Sequence, residues 1–134
     1  MSFKEKFDLK KYLPILIFLF AFFINQFSGN RGIFPIDSFS HFDLGYRVLN
    51  GDFPFRDYWV VSGPLIDILQ AFIFLIFDIN WQTYLLNASI LNGVVAVLTY
   101  KLFLNFKLNR TFSFFYTICF SVLAYPVSGT PFVD

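Results

Sequence analysis

Tyr12-Leu-Pro-Ile-Leu-Ile-Phe-Leu-Phe-Ala-Phe-Phe-Ile-Asn-Gln-Phe27 follows a run that contains Lys4, Lys6, Lys10 and Lys11. An apolar stretch behind a basic flank is the pattern of a membrane span with its preceding end on the cytoplasmic side. No small-x-small cleavage site follows it, so it reads as an uncleaved span rather than a signal peptide. At ~1.5 Å per residue its roughly 16 residues reach about 24 Å, enough to cross when the flanks contribute. The rest of the chain agrees: 57% of the 134 residues are hydrophobic, 14% are charged, and Phe alone fills 22 positions. A soluble domain does not carry that composition. The formal net charge is +1, so no basic surface exists to hold a nucleic-acid backbone. Cys119 is the only cysteine, which excludes a disulfide framework within the chain, and glycine-rich phosphate loops and HExxH-type metal motifs are missing.

Two more apolar runs read as spans, 84–106 and 111–125, separated by the basic stretch Lys107-Leu-Asn-Arg110. The stretch Gly63 to Phe77 is apolar but interrupted by Asp67 and Gln70. If it crossed, Lys101, Lys107 and Arg110 would lie outside, against the tendency of basic residues to stay in the cytoplasm. Its 15 or so residues also reach only about 22 Å. It therefore reads as an interfacial helix, with Asp67, Gln70, Ala71 and Phe74 on one stripe and Leu65, Leu69, Phe72 and Ile76 on another; extended back to Trp59, the same run is long enough to cross. The chain thus reads as a single all-α integral membrane unit of about three transmembrane helices, with two interfacial juxtamembrane helices in a first extracytoplasmic loop, 28–83. The expected location is a bacterial-type inner membrane with the N-terminus cytoplasmic and Ser28 to Thr83 extracytoplasmic.

That loop holds most of the polar chemistry. Asp37, Asp43, Asp52, Asp57, Arg31, Arg47 and Arg56 concentrate in it together with His41, the only histidine. From Asp37 to Asn50 the spacing is helical, with Phe39, Phe42, Tyr46 and Leu49 in one arc and Ser40, Asp43 and Arg47 in another. Pro35 precedes this helix, Asp37 or Ser38 is its expected N-cap, and Asn50-Gly51 its end. Asp37 and His41 lie one turn apart and can face the same volume.

Asp37-Ser-Phe-Ser-His-Phe-Asp-Leu-Gly-Tyr-Arg-Val-Leu-Asn-Gly51, followed by Asp52-Phe-Pro-Phe-Arg-Asp57 and Gly63-Pro64-Leu65, resembles the first outer loop of the family C membrane glycosyltransferases, which include the protein O-mannosyltransferases and the aminoarabinose transferases of lipid A. The likeness covers about 40 residues. It implies transfer of a sugar from a polyprenyl-phosphate donor to an acceptor hydroxyl on the extracytoplasmic side, with Asp37 as general base. Such a leaving group departs as a stabilised anion, so a single carboxylate can serve. Arg47 and Arg56 are the available cations for phosphate charge, and His41, Asp57 and Asp67 complete the candidate substrate contacts, His41 reading also as a packing or hydrogen-bonding group. The resemblance implies no cofactor beyond the lipid-linked sugar and leaves a divalent metal open. It implies as partners membrane lipids, the donor, and the remaining membrane part of a longer protein or another subunit. By itself the 134-residue chain is expected to be inactive.

Plainer readings stand beside these. Asp43 and Arg47, at i and i+4, suit a surface pair. Arg56 and Asp57 suit either phosphate binding or closure of a turn. Asp67 within an apolar helix calls for a function or a polar partner. The sequons at Asn87 and Asn109 fall in a span and on the inner side. The alternative function is a small non-catalytic membrane protein, either a truncated remnant or a subunit that packs against another membrane protein through its aromatic faces.

Overall fold

A computed structural model describes residues 9–31, 39–60 and 63–123, and among these it is all-helical. The helices are α1 (Leu9–Gly29), α2 (Ser40–Leu49), α3 (Leu65–Phe77), α4 (Trp81–Asn105) and α5 (Arg110–Leu123). Two of them, α1 and α4, are long and apolar enough to cross a membrane. At ~1.5 Å per residue they extend about 31 Å and 37 Å, against about 21 Å for the described part of α5 and about 20 Å for α3.

α1, α4 and α5 form a bundle in which α1 and α4 run antiparallel. Asn25 meets Ser89, the Ala21 carbonyl meets Asn92, and Ile17 and Ala21 share a core with Ala96 and Tyr100. At the α1 C-terminus, Trp81 Nε1 donates to the Gly29 carbonyl and Gln82 Nε2 to Asn30 Oδ1. The start of α1 therefore lies at the same end as the α4–α5 hairpin with Lys107 and Arg110. Small residues allow the close approach: a Cβ on Gly93 would stand 2.6 Å from the Phe18 ring. Asn92 links all three helices, donating from Nδ2 to the Ala21 carbonyl at 2.9 Å and the Ser121 carbonyl at 3.3 Å. Small residues at the seams let the helix backbones approach closely, and the amide groups there bond across them.

α4 starts three residues earlier than the apolar run suggests, because Asn80 caps it by accepting from the Thr83 N–H at 2.9 Å. α3 is joined to it by the corner 78–80, where Asp78 takes φ +67° and the Thr83 hydroxyl donates to the Phe77 carbonyl. α3 then doubles back along the first turns of α4, so that Gln70 reaches Asn87. α2 packs on α3 in the same direction: His41 faces Asp67, and Gly45 faces Gln70 and Ala71. The pair sits at the end of the bundle where α1 finishes and α4 begins.

The buried residues of α3 are Asp67, Gln70, Ala71 and Phe74, the stripe its periodicity marks. α2 ends at Asn50 as expected, with Gly51 at φ +97° taking the left-handed position after the helix. Its start differs. Phe39 occupies the N-cap position with helical backbone angles and no side-chain cap, while the expected caps Asp37 and Ser38 lie outside the described residues. The last two residues of the expected third span, 124–125, lie outside them as well.

Candidate functional site

The first turns of α2 and α3 bring His41 and Asp67 together. His41 Nδ1 stands 2.7 Å from Asp67 Oδ1, with the Asp67 side chain fully buried and that of His41 8% exposed. Burying a carboxylate in an apolar helix is costly unless it is paired. The imidazole supplies one partner, and the first-turn position of Asp67 puts it near the unpaired N–H groups of the α3 N-terminus, which favour an anion. Gly45 makes the approach possible: a Cβ there would lie 2.6 Å from Gln70 Cγ and 2.9 Å from Gln70 Cβ. Gln70 is itself fully buried, and its Oε1 accepts from Asn87 Nδ2 at 2.8 Å. α2, α3 and α4 are thereby tied by one polar line.

Tyr58, from the segment between α2 and α3, closes the cluster. Its hydroxyl is buried beside the Asp67 carboxylate without meeting hydrogen-bond geometry. Burial first, and the Asp67 charge second, push the phenol up to about 12. Asp67 Oδ2 and Gln70 Nε2 are the other buried polar atoms here that lack a partner. Arg47 stacks its guanidinium 5.1 Å from the Tyr58 ring centre.

Arg47 corrects the expected pairing. It donates from Nε to Asp52 Oδ2 at 2.9 Å, not to Asp43 one turn before it, and it also reaches the Asp57 carbonyl. The chain turns at Gly51 and brings Asp52 under the end of α2, where a shorter reach is available than along the helix face. The hydrogen bond to Asp52 holds the guanidinium above its ordinary value. Arg56 and Asp57 form their own exposed pair at 2.6 Å. Asp57 also accepts from the Phe53 N–H at 2.7 Å, which closes the turn 53–57. The Arg56 hydrogen bond, then that N–H, hold the Asp57 carboxyl below its usual range. At the tip of the turn Phe55 takes φ +65°, an uncommon conformation for a bulky residue, and Phe53, Phe55 and Trp59 all project outward, Trp59 with 79% of its surface exposed.

Of the candidate residues, His41 and Asp67 meet directly, and Arg47 joins them through Tyr58. Arg56 and Asp57 stand apart at the surface, and Asp37 lies outside the described residues. Tyr58 carries no spacing signal, and neither does Asn87, whose sequon context hides its role as a buried hydrogen-bond donor. At the corner between α3 and α4, a cleft of about 380 Å³ is lined by Gln26, Phe77, Asn80, Gln82, Thr83 and Leu86, neutral hydrogen-bonding groups together with one aromatic and one aliphatic side chain. Among the described residues no group of three His, Cys, Asp or Glu side chains converges on a metal-sized volume. The chain matches no protein-family model, no curated protein and no solved structure.

Proposed function

We propose that this chain is a three-span integral membrane unit carrying the base-bearing outer loop of a polyprenyl-phosphate-dependent glycosyltransferase. The membrane part of this reading rests on an inverted distribution of side chains. Asn25, Ser89, Asn92, Ser113, Thr117 and Ser121 are buried between α1, α4 and α5, while Ile15, Leu16, Leu19, Phe23, Leu98, Leu102, Phe112 and Phe115 face outward. Water does not tolerate so large an apolar exterior, and a bilayer requires one. The shared end of the α1 start and the basic α4–α5 hairpin supports a cytoplasmic N-terminus. With Cys119 replaced by serine, a cysteine at Asn50 is then expected to react with an impermeant thiol reagent added from outside, and one at Asn109 to be protected; the reverse pattern inverts the topology.

The transferase part rests on the resemblance of the loop, and its support is the folded unit that the resembling segment makes. Residues 39–60 and 63–77 form two packed helices over the bundle end, with a carboxylate and an imidazole in contact. In this reading Asp37 takes the acceptor's hydroxyl proton as the oxygen attacks the sugar, and the polyprenyl phosphate departs with the bonding electrons. The outward aromatic residues of the 53–59 turn suit the headgroup region, where the lipid phosphate would lie. In a longer membrane protein that carries this loop, sugar transfer from a polyprenyl-phosphate donor should be measurable in vesicles, and Asp37→Ala there should lower it by about 10² to 10⁴. Transfer unchanged by that substitution removes Asp37 from the reaction.

The exposed aromatic faces of α5, with Phe112, Phe115 and Tyr116, favour a second reading, in which a non-catalytic membrane protein packs against another membrane helix. Sugar transfer by the chain alone eliminates it.

A further inference from the structure

We infer that the open cleft at the corner of α3 and α4 is a binding site for a neutral hexosyl group. Only the use of that sugar as a substrate rests on the transferase reading.

Three helices build the cleft. Gln26 comes from the last turn of α1, Phe77 from the end of α3, and Asn80, Gln82, Thr83 and Leu86 from the start of α4 and its cap. The corner is closed locally: Asn80 Oδ1 accepts from the Thr83 N–H, and the Thr83 hydroxyl donates to the Phe77 carbonyl at 3.0 Å. Across the helices, Gln82 Nε2 donates to Asn30 Oδ1 at 2.7 Å and Trp81 Nε1 to the Gly29 carbonyl at 3.3 Å, which fixes the end of α1 against the start of α4. The walls are thus held by the protein's own hydrogen bonds. Their volume, about 380 Å³, is that of a small-molecule site.

The lining selects the ligand by charge. No lining residue is ionisable, so a phosphate or an ammonium group finds no counter-ion there. Arg31, just beyond the end of α1, is turned onto the Phe27 ring at 4.1 Å.

The open groups then narrow it further. The Gln26 carboxamide is half-buried and makes no side-chain hydrogen bond among the described residues, and the bond to Asn30 uses one end of the Gln82 amide while leaving the other open. Together these amides offer donors and acceptors, and a sugar hydroxyl is both at once. The Phe77 ring, 55% exposed, supplies a flat apolar surface for the C–H face of a pyranose, and Leu86 extends it. A hydrocarbon chain would leave the amides without partners; a neutral ring with hydroxyls at its edge and C–H groups on its face uses both kinds of wall. The cleft lies at the bundle end that carries α2 and α3, so a free saccharide and a lipid-borne one can both reach it.

Saturation-transfer NMR on the full chain in phosphatidylethanolamine and phosphatidylglycerol nanodiscs tests the inference, with methyl α-glucoside and methyl α-mannoside as probes. Saturation should pass from the protein to the ring C–H protons of at least one glycoside, and far less should reach glucose 6-phosphate. Gln26→Leu removes the amide but keeps its bulk, and should raise the dissociation constant about 2- to 10-fold. Phe77→Leu removes the flat ring from a different helix and should weaken the same signal. No transfer to either glycoside, transfer undiminished in both variants, or equal transfer to glucose 6-phosphate overturns the inference. Suppression of the signal by glucosyl diacylglycerol in the bilayer identifies a lipid-borne sugar, and a signal that it leaves unchanged identifies a free saccharide. Binding by this chain, without sugar transfer in a longer protein that carries the loop, leaves the cleft standing and removes the transferase reading; transfer without binding does the reverse.

Discussion

Gly45→Ala is the substitution that most directly tests the junction between α2 and α3. The added Cβ would stand 2.6 Å from Gln70 Cγ, 2.9 Å from Gln70 Cβ and 3.5 Å from the Ala71 nitrogen. Ordinary contact needs roughly 3.5 to 4.0 Å, so about 1 Å of separation must be found. Gln70 cannot swing aside freely, because it is fully buried and Asn87 holds its Oε1. The helices must part instead. Overpacking of this kind costs about 1–3 kcal/mol, beyond the few tenths to 1 kcal/mol that alanine gains over glycine in a helix. The same movement stretches the His41–Asp67 hydrogen bond, which spans the same two helices one turn away. Thermal unfolding in detergent should therefore show a lower transition for Gly45→Ala, and amide exchange should rise in α2. Gln70→Ala removes the closer of the two contacts, so the double variant should recover part of the loss, giving a coupling of about 0.5–3 kcal/mol. A neutral Gly45→Ala, or strictly additive effects with Gln70→Ala, would refute the tight packing on which the His41–Asp67 hydrogen bond depends.

Asn92→Ala removes the donor that joins α1, α4 and α5, and should destabilise the bundle by about 0.6 kcal/mol and at most about 1.7, measured by steric-trap or detergent unfolding. The 53–57 turn should be sensitive to acid. The Asp57 carboxyl is held below its ordinary 3.8, so its contribution to turn order is complete above that value and is lost as pH falls through the lowered one. Trp59 fluorescence in a Trp81→Phe background should be flat at neutral pH and change below about 3.8, and Asp57→Asn should abolish that step.

The helical content of the chain, its two long apolar helices and the face that α3 buries are legible in the sequence, because a helix repeats every 3.6 residues and burial follows that period. Asp67, Gln70, Ala71 and Phe74 lie on one stripe whatever surrounds them. The end of α2 is equally local, since Gly51 can take a positive φ without steric penalty. Partners are not local. The approach of His41 to Asp67 joins residues 26 positions apart and depends on the missing Cβ of Gly45 and on the return of the chain through the 53–57 turn. Arg47 pairs with Asp52 instead of Asp43 for the same reason: the turn at Gly51 offers a geometry that spacing along one helix does not reveal. Asn87 and Asn92, polar residues in an apolar run, could be placed in a membrane helix from sequence, yet only tertiary packing decides that one meets Gln70 and the other the carbonyls of two neighbours. Periodicity determines which side of a helix turns inward; what it meets there is set by through-space register, which no single segment contains.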